Sequence, residues 1–243
     1  MKRFLVLGNS HTENLRAAAA QADGLDVQCD VRWVKLKADA RFGDLRLDDA
    51  FAALKGLSAD DVAVLSLFGT SHNVIGLLNH PRPYGIMEPG DPAENLGSAE
   101  LIPHAALRSE IRAKLTQTAT LSGLVEAAPC PVFHLAPPPP KADLSFVNKK
   151  SNYRGVDIAE AGFAPAQQRL KFWRLEQHVL DEVMTSLGGA AIAPPSEALT
   201  DEGFLAEPFH ANDATHANLA YGKLVLEQLI AAAKITPEQV TAQ

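Results

Sequence analysis

Phe4-Leu5-Val6-Leu7-Gly8-Asn9-Ser10-His11 is the stretch of sequence that decides the fold. Apolar side chains occupy Phe4 to Leu7, and a glycine and polar residues follow at once. A short, continuous apolar run of this kind is typical of a strand that is buried on both faces, as in a parallel sheet. The stretch therefore predicts a central strand whose end presents a serine hydroxyl at the edge of the sheet.

Further apolar runs repeat this pattern along the chain, with helical patterns between them. The runs are Val27 to Val34, Val62 to Leu67, Val132 to Ala136 and Ala190 to Ala193. The helical patterns are 13–22, 48–57, one longer helix with Leu107, Ile111, Leu115 and Val125 on one face, one with Phe172, Leu180, Val183 and Leu187 that ends at Gly188-Gly189, and a last one with Leu219, Leu226 and Ile230. The alternation predicts an α/β fold in which helices cover both faces of a mostly parallel, five-stranded sheet.

The length and composition fit one globular domain over residues 1–243. An apolar share of 47% and a charged share of 21% are close to the averages for globular proteins. Two stretches, near 79–97 and 137–155, are rich in Pro, Gly or polar residues and are interpreted as loop insertions. Long irregular segments in a compact domain are usually functional, so we expect both to form walls or lids of a site.

Charge and hydropathy exclude several classes of partner. The net charge of −7, without a stripe of Lys and Arg, opposes binding to nucleic acid. The apolar run after Met1-Lys2-Arg3 is too short for a signal peptide, and no run approaches the roughly 18 residues of a membrane span. We therefore expect a cytoplasmic protein that does not bind a membrane, and the oligomeric state is left open.

Polar clusters directly follow three of the predicted strands. They are Gly8 to His11, Gly69 to Asn73, and the four prolines Pro137 to Pro140. The carboxyl ends of parallel strands meet at one edge of the sheet, where open α/β folds bind their ligands. A fourth polar segment, His210 to His216, lies between the last strand and the last helix and can return to that edge. We therefore expect these clusters to form one site.

The residue types at this edge suit nucleophilic catalysis. A serine such as Ser10 becomes a strong nucleophile only when a base takes its proton, and a carboxylate that orients the base improves it. Asp213-Ala-Thr-His216 supplies both groups at a spacing that lets the side chains meet, with Asp213 before the last helix and His216 in its first turn. The residues thus predict Ser10, His216 and Asp213 as a catalytic triad.

At these residues the chain resembles the SGNH, or GDSL-like, hydrolase superfamily. Gly8-Asn9-Ser10 is similar to the Gly-Asp-Ser block of that family, with Asn9 at the usual Asp position, and Asp213-Ala-Thr-His216 matches its Asp-x-x-His signature. The resemblance implies a flavodoxin-like three-layer α/β/α sandwich. It also implies a serine hydrolase that cleaves an acyl ester, such as an O-acetyl ester of a carbohydrate or small molecule, without a cofactor or metal.

The resemblance also implies an oxyanion hole. Its donors would be the N–H of Ser10, the N–H of Gly43, and a side chain from the third block, where Gly69-Thr-Ser71-His72-Asn73 stands in place of the family's Gly-x-Asn-Asp. Ser71 aligns with the family's asparagine, and Asn73 is the alternative. Three histidines near these blocks are expected to contact substrate: His11, His72 and His210.

Simpler interpretations of the same residues stay open. Ser10-His-Thr-Glu13 is also a capping box, and Asp213 is also a good N-cap for the last helix. The same triad could instead transfer the acyl group to an acceptor hydroxyl, and the irregular third block is compatible with a non-catalytic binding module. A metal-dependent hydrolase is the remaining alternative, with possible ligands at His11, His72, His210, Asp213 and His216.

Overall fold

The computed structural model describes residues 1–22, 27–36, 42–88, 91, 99–148 and 152–232. All five predicted strands are present in it, with small differences at their ends. The strands are β1 (Lys2–Gly8), β2 (Val27–Lys35), β3 (Leu45–Arg46), β4 (Val62–Ser66), β5 (Tyr84–Gly85), β6 (Glu100–Leu101), β7 (Val132–Leu135), β8 (Asn152–Tyr153), β9 (Val156–Asp157) and β10 (Ala190–Ile192).

The central sheet is parallel and has the order β10-β7-β4-β1-β2-β3. Over the described part of the chain it contains six strands, so the expected number of five is wrong by one. The extra strand is Leu45–Arg46, which pairs with the end of β2 and is too short to show an apolar pattern. From β1 the chain adds β2 and β3 on one side, and then β4, β7 and β10 on the other side. The strand order therefore switches between β1 and β4, and a crevice forms at such a switch point.

Helices cover both faces of the sheet, as predicted. They are α1 (Glu13–Gln21), α2 (Leu47–Lys55), α3 (Ser71–Gly76), α4 (His104–Thr116), α5 (Thr120–Ala127), α6 (Ile158–Ala161), α7 (Ala166–Ser186) and α8 (Leu219–Ala232). Side chains of α1 and α8 pack on one face, and those of α2, α4, α5 and α7 pack on the other. The fold is therefore the expected three-layer α/β/α sandwich.

Strand β1 is apolar throughout because both of its faces are covered. Phe4 and Val6 pack with the α1 and α8 side chains, whereas Leu5 and Leu7 pack with the opposite layer. Successive side chains of a strand point to opposite faces, so burial on both sides requires a run without alternation. This is the physical reason that the first apolar run of the sequence marks the centre of the sheet.

The expectation of one long helix that carries Leu107 and Val125 is wrong, because the chain forms two helices there. Helix α4 ends at Thr116, and α5 starts at Thr120 after Ala119, which has a left-handed backbone with φ of 51°. The connecting residues are rich in threonine, a β-branched residue with a weak helix preference. Both halves still bury their predicted apolar residues.

The insertion near 137–155 begins in the interior rather than as an exposed wall. Pro137 to Pro140 and Lys141 are all buried. Prolines have no N–H group, so a buried irregular segment built from them leaves only carbonyl groups that need partners. The N–H of Leu205 donates to the Pro140 carbonyl at 3.0 Å, and the Trp173 indole donates to Pro137 at 3.2 Å.

Other parts of the two insertions form small local sheets. In the first, Tyr84–Gly85 pairs with Glu100–Leu101, and in the second Asn152–Tyr153 pairs with Val156–Asp157. Residues 89–90, 92–98 and 149–151 of these insertions lie outside the described residues, and so does the end of the chain from 233 onward. The interpretation of residues 1–243 as one domain therefore stays a prediction. None of the described helices is both long and apolar enough to span a membrane.

Helices α1 and α8 approach each other unusually closely at Gly222. A Cβ atom added to Gly222 would lie 2.1 Å from the Asn14 carbonyl oxygen, which is well inside van der Waals contact. Nδ2 of Asn14 also donates to the Ala217 carbonyl at 3.3 Å, just before α8 begins. Because α1 follows Ser10 and α8 follows His216, this contact sets the distance between the two ends of the predicted triad.

We expect Gly222→Ala to destabilise the protein, because the new methyl group has no space against the backbone of α1. Overpacking of this kind costs about 1–3 kcal/mol of unfolding free energy, measurable by urea denaturation. Gly56→Ala is the matched control, since its Cβ would lie 3.5 Å from the nearest atom, and we expect a change within about 0.5 kcal/mol. An unchanged midpoint for Gly222→Ala would contradict this account of the helix contact.

Candidate active site

Ser10 lies in a short turn directly after β1. The side-chain oxygen of Asn9 accepts the N–H of His11 at 3.0 Å, and the Asn9 carbonyl accepts both the N–H and the hydroxyl of Thr12, at 3.0 and 2.8 Å. These bonds form a 3₁₀ turn over Ser10–Thr12 that leads into α1. Asn9 thus caps the 3₁₀ turn, and Thr12, not Ser10, is the N-cap residue of α1. The capping-box interpretation of Ser10 is therefore wrong, and its hydroxyl is available for other contacts.

Asp213 organises a tight turn that ends at His216. One carboxylate oxygen accepts the N–H groups of Thr215 and His216 at 2.7 and 2.8 Å, and the other lies 3.0 Å from Nδ1 of His216. Helix α8 begins only at Leu219, and Asn218 caps it through the N–H of Ala220. The expectation that His216 lies in the first turn of this helix is therefore wrong, because the turn and the helix have separate caps.

The structure brings the three residues predicted as a triad together. Nε2 of His216 lies 2.9 Å from Oγ of Ser10, although 206 residues separate them in sequence. Since Nδ1 faces the Asp213 carboxylate, it carries the ring proton, and the lone pair of Nε2 is left to accept the Ser10 hydroxyl proton. This tautomer is the one that a general base for Ser10 requires.

The surroundings of Asp213 keep its carboxyl group ionised. Partial burial alone would raise its pKa, but hydrogen bonds from the His216 ring and from the N–H groups of His216 and Thr215 outweigh burial and lower the pKa well below the usual value of 3.8. Hydrogen bonds to the charged form stabilise it. Asp213 is therefore a permanent negative charge beside His216 near neutral pH.

His11 packs against His216 and is held neutral. The two ring centroids lie 4.5 Å apart, with an angle of 31° between the rings. Burial is the main cause that lowers the pKa of His11 to about 3, and electrostatic interaction with the neighbouring His216 and His72 rings lowers it further. A neutral ring does not repel a proton on His216, so His11 is compatible with the predicted role of His216. Its contact with a substrate stays a prediction.

The buried carboxylate of Glu176 binds His72 and Ser71. Oε1 of Glu176 accepts the N–H of Ser71 at 2.9 Å, and Oε2 accepts the N–H of His72 at 2.7 Å. Nδ1 of His72 lies 2.8 Å from Oε2 of Glu176 and 3.1 Å from the Gly69 carbonyl, so it carries a proton that it donates to both. His72 is 4% exposed, and its predicted contact with substrate has no support in this placement.

Glu176 is fully buried on α7 and remains charged. Burial alone would raise its pKa, but the hydrogen bonds from His72 and from the N–H groups of Ser71 and His72 lower the pKa below its usual value. A buried carboxylate is tolerated only when such donors surround it. Glu176 therefore fixes the first turn of α3, which carries the expected oxyanion-hole residues.

Two other predicted oxyanion-hole residues lie in α3 and beside the end of β2. Asn73 is buried in the first turn of α3, and its N–H donates to the Thr70 carbonyl at 3.2 Å. Gly43 has a φ of 143°, and a Cβ added to it would lie 2.5 Å from Cγ of Lys35, at the end of β2. The donor roles of Gly43, Ser71 and Asn73 stay predictions, as does that of the Ser10 N–H.

His210 does not line the cleft that contains Ser10 and instead contacts Leu205 and Phe146. Its Nε2 lies 2.9 Å from the Leu205 carbonyl, and its ring stacks on Phe146 with 5.7 Å between centroids. The side chain thus connects two parts of the chain that support the 211–213 segment. A substrate contact for His210 stays a prediction.

Ser10 opens into a surface cleft of about 410 Å³. Both apolar and polar side chains line it. The Arg16 guanidinium lies over the Trp33 indole, 5.1 Å from the ring centroid. Around Ser10, Asp213 and His216 the lining residues are Glu13, Asn14, Ala17, Trp33, Ala211, Ala217 and Leu219. A larger cavity of about 640 Å³ near Tyr84 and Gln168 does not include Ser10. The cleft can therefore hold a small ester whose carbonyl carbon lies at Ser10.

A metal site is not formed by the histidines and acids of this region. Within the described ranges, no three His, Cys, Asp or Glu side chains are grouped so that they could hold a metal ion. His11, His72 and His210 each face a different neighbour, and Asp213 and His216 face each other. The metal-dependent alternative thus has no ligand cluster in this part of the chain.

Sequence reasoning missed two residues that shape the site. Glu176 occupies a core position of α7, four residues after Phe172 and four before Leu180, both of which are buried. A charge within an apolar helical stripe is a signal that a buried partner exists. Trp33 in β2 gave no such signal, because an aromatic residue in an apolar strand is ordinary.

Neither a protein family model nor a curated protein sequence matches the chain. Among solved structures, a carbohydrate acetylesterase family member from Sinorhizobium meliloti is 12% identical, with a TM-score of 0.50 over 96% of this chain and 99% of that one. An extracellular lipase from Streptomyces rimosus is 14% identical, with a TM-score of 0.49 over 96% of this chain and 100% of that one. A GDSL-like lipase from Bacteroides thetaiotaomicron is 14% identical, with a TM-score of 0.46 over 96% of this chain and 87% of that one. The first likeness shows a shared fold, and the fold expected from the SGNH resemblance is confirmed.

We expect Glu176→Gln to destabilise the protein by about 3 kcal/mol, since the new amide group would face a backbone N–H in a buried site. Chemical denaturation monitored by circular dichroism measures the loss. Asp181→Asn, an exposed change on the same helix, should leave the midpoint unchanged. Equal stability of both variants would show that the buried carboxylate does not anchor α3.

The Asp213 carboxylate should make stability depend on pH in the acidic range. Because folding lowers its pKa, its contribution is present above the usual value of 3.8 and is lost as the pH falls below it. The melting temperature of the parent should exceed that of Asp213→Asn at neutral pH, and the difference should shrink on acidification. Asp201→Asn, an exposed change, should show no such trend, and a constant gap for Asp213→Asn would contradict the assignment.

Proposed function

We propose that the protein is a serine hydrolase that cleaves an acyl ester through an acyl-enzyme. Ser10 is the nucleophile, His216 the general base and acid, and Asp213 the carboxylate that orients His216. The single observation that carries this proposal is the 2.9 Å contact between Oγ of Ser10 and Nε2 of His216, with Nδ1 facing Asp213. Nucleophile, base and orienting group within hydrogen-bond reach are the signature of an activated serine.

In the acylation step, Nε2 of His216 takes the Ser10 proton while Oγ attacks the ester carbonyl carbon. The resulting imidazolium lies between Asp213 and the tetrahedral intermediate, and the Asp213 charge stabilises it. His216 then gives its proton to the alkoxide leaving group, and the acyl group remains on Ser10. In deacylation a water molecule replaces the alcohol, and the same proton transfers run in reverse order.

The negative oxygen of the intermediate needs hydrogen-bond donors within bonding distance of the position that this oxygen occupies. The N–H groups of Ser10 and Gly43 and the side chain of Ser71 or Asn73 are the candidates in our proposal. A single such donor is worth about 10²–10³ in rate. The anchoring of α3 by Glu176 supports a role for its first turn, because preorganised donors contribute most.

The cleft favours a short acyl group on a small or carbohydrate alcohol. Its volume is about 410 Å³, and it combines the aromatic face of Trp33 with the polar side chains of Glu13 and Asn14. Aromatic faces and polar groups together suit a sugar-like alcohol, and the solved carbohydrate acetylesterase structure that shares the fold is in line with this choice. Transfer of the acyl group to another hydroxyl would use the same residues.

Removal of Ser10 or His216 should abolish esterase activity. With p-nitrophenyl acetate as substrate, we expect kcat/KM of Ser10→Ala and of His216→Ala to fall by at least about 10³-fold, and the double variant should lose no more than either single one, because triad residues act as a unit. Steady-state absorbance at neutral pH measures the rates.

Two exposed residues provide matched controls for this experiment. Ser196→Ala and His178→Ala change the same residue types far from the cleft, and both should retain the parent rate. Parent activity in His216→Ala would remove His216 from the mechanism. An inactive parent that takes up an acetylated ligand without hydrolysing it would instead favour the binding module.

A further inference from the structure

Lys141 is a buried lysine whose ammonium group has no carboxylate partner among the residues that the structure describes. The residue is 1% exposed and directly follows the four buried prolines. Lysine is almost never fully buried unless its charge is compensated. The group that compensates it is therefore of interest, particularly because the triad chemistry does not use this side chain.

The ammonium group binds the backbone of the segment that carries Asp213. Nζ donates to the Ala211 carbonyl at 2.7 Å and to the carbonyl of Asp213 itself. It also lies 5.3 Å from the ring centroid of Phe146, which stacks on His210. Hydrogen bonds from a charged donor are stronger than neutral ones, so this contact holds the 211–213 segment from the interior.

The backbone of Lys141 is itself fixed by Arg169 of α7. The buried guanidinium of Arg169 donates to the carbonyls of Lys141, Ala142 and Ala164 at 2.6, 2.9 and 3.0 Å. The Leu205 N–H binds the preceding carbonyl, that of Pro140. The backbone of the lysine is thus tied directly to helix α7.

These contacts fix Asp213 at both of its ends. Its carbonyl oxygen binds Lys141, and its carboxylate accepts the N–H groups of Thr215 and His216. With the backbone and the side chain both held, the second carboxylate oxygen has one direction left, which is toward Nδ1 of His216. Burial of the ammonium lowers the pKa of Lys141 to about 8, so the group still carries its charge near neutral pH.

We propose that Lys141 is a positioning residue for the Asp213–His216 pair: its buried ammonium holds the 211–213 segment so that the carboxylate meets the imidazole. The proposal rests on the proposed hydrolase function. Lys141 does not touch the substrate, and its effect on the reaction passes through Asp213. Misplacement of a catalytic group by about 1 Å can cost on the order of 10² in rate, which is the size of effect at stake here.

Replacement of the ammonium by an apolar group of similar length tests this role. In Lys141→Met we expect kcat for p-nitrophenyl acetate to fall by about 10- to 100-fold while KM stays within about threefold, because Lys141 does not line the cleft and its loss acts through the orientation of Asp213 and His216. Lys114→Met removes an equal charge from an exposed position of α4 and should keep the parent kcat and KM.

Chemical rescue separates the charge from simple packing. In Lys141→Ala, added n-propylammonium should fill the vacated space and restore part of kcat, whereas n-propanol of the same length should not. Rescue by the alcohol to the same extent, or parent kcat in folded Lys141→Met, would overturn the proposal. Lys141→Arg, which keeps a cation, should be more active than Lys141→Met, and the reverse order would also overturn it.

A measurement on the parent covers the case in which the variants do not fold. In ¹⁵N-labelled parent protein we expect one lysine ammonium signal that exchanges slowly with water, because its protons are bonded in the interior. Only rapidly exchanging ammonium signals would overturn the proposal. An inactive parent would indicate failure of the hydrolase function itself, whereas an active parent with an equally active, folded Lys141→Met would indicate failure of the lysine proposal alone.

Discussion

The contact between Oγ of Ser10 and Nε2 of His216 joins two residues that are 206 positions apart in sequence, and the rest of the site depends on it. Neither residue can create this contact alone, since Ser10 belongs to the end of β1 and His216 to the turn before α8. The close packing of α1 on α8 sets the distance, and Gly222 permits that packing because it has no side chain. The hydrogen bond between Ser10 and His216 thus depends on how the helices pack on the sheet.

Two buried charges hold backbone segments of the predicted site. Glu176 holds the first turn of α3, where the expected oxyanion-hole residues lie, and Lys141 holds the segment that carries Asp213. Burial of a charge is costly unless every donor or acceptor has a partner, and here the partners are backbone groups of the site itself. Both charges are anchored to α7, through the side chain of Glu176 and through Arg169. One helix therefore fixes both the first turn of α3 and, through Arg169 and Lys141, the 211–213 segment.

Much of the fold could be predicted from the sequence, because burial on both faces of a strand forces the apolar runs that were identified. The position of Ser10, Asp213 and His216 at one edge followed from the same argument. Two kinds of feature could not be predicted. Short elements such as Leu45–Arg46 carry too few residues for a pattern, and the burial of Pro137 to Lys141 depends on partners far along the chain. Glu176 is similar, since it binds Ser71 across 105 residues.

The central claim is that Ser10 is an activated nucleophile, and covalent labelling tests it most directly. After incubation with a fluorophosphonate, digestion and mass spectrometry should locate one phosphonyl adduct on the Ser10 hydroxyl, with labelling strongly slowed in His216→Ala. An unlabelled Ser10 in the folded parent, or an adduct on another serine, would contradict the account.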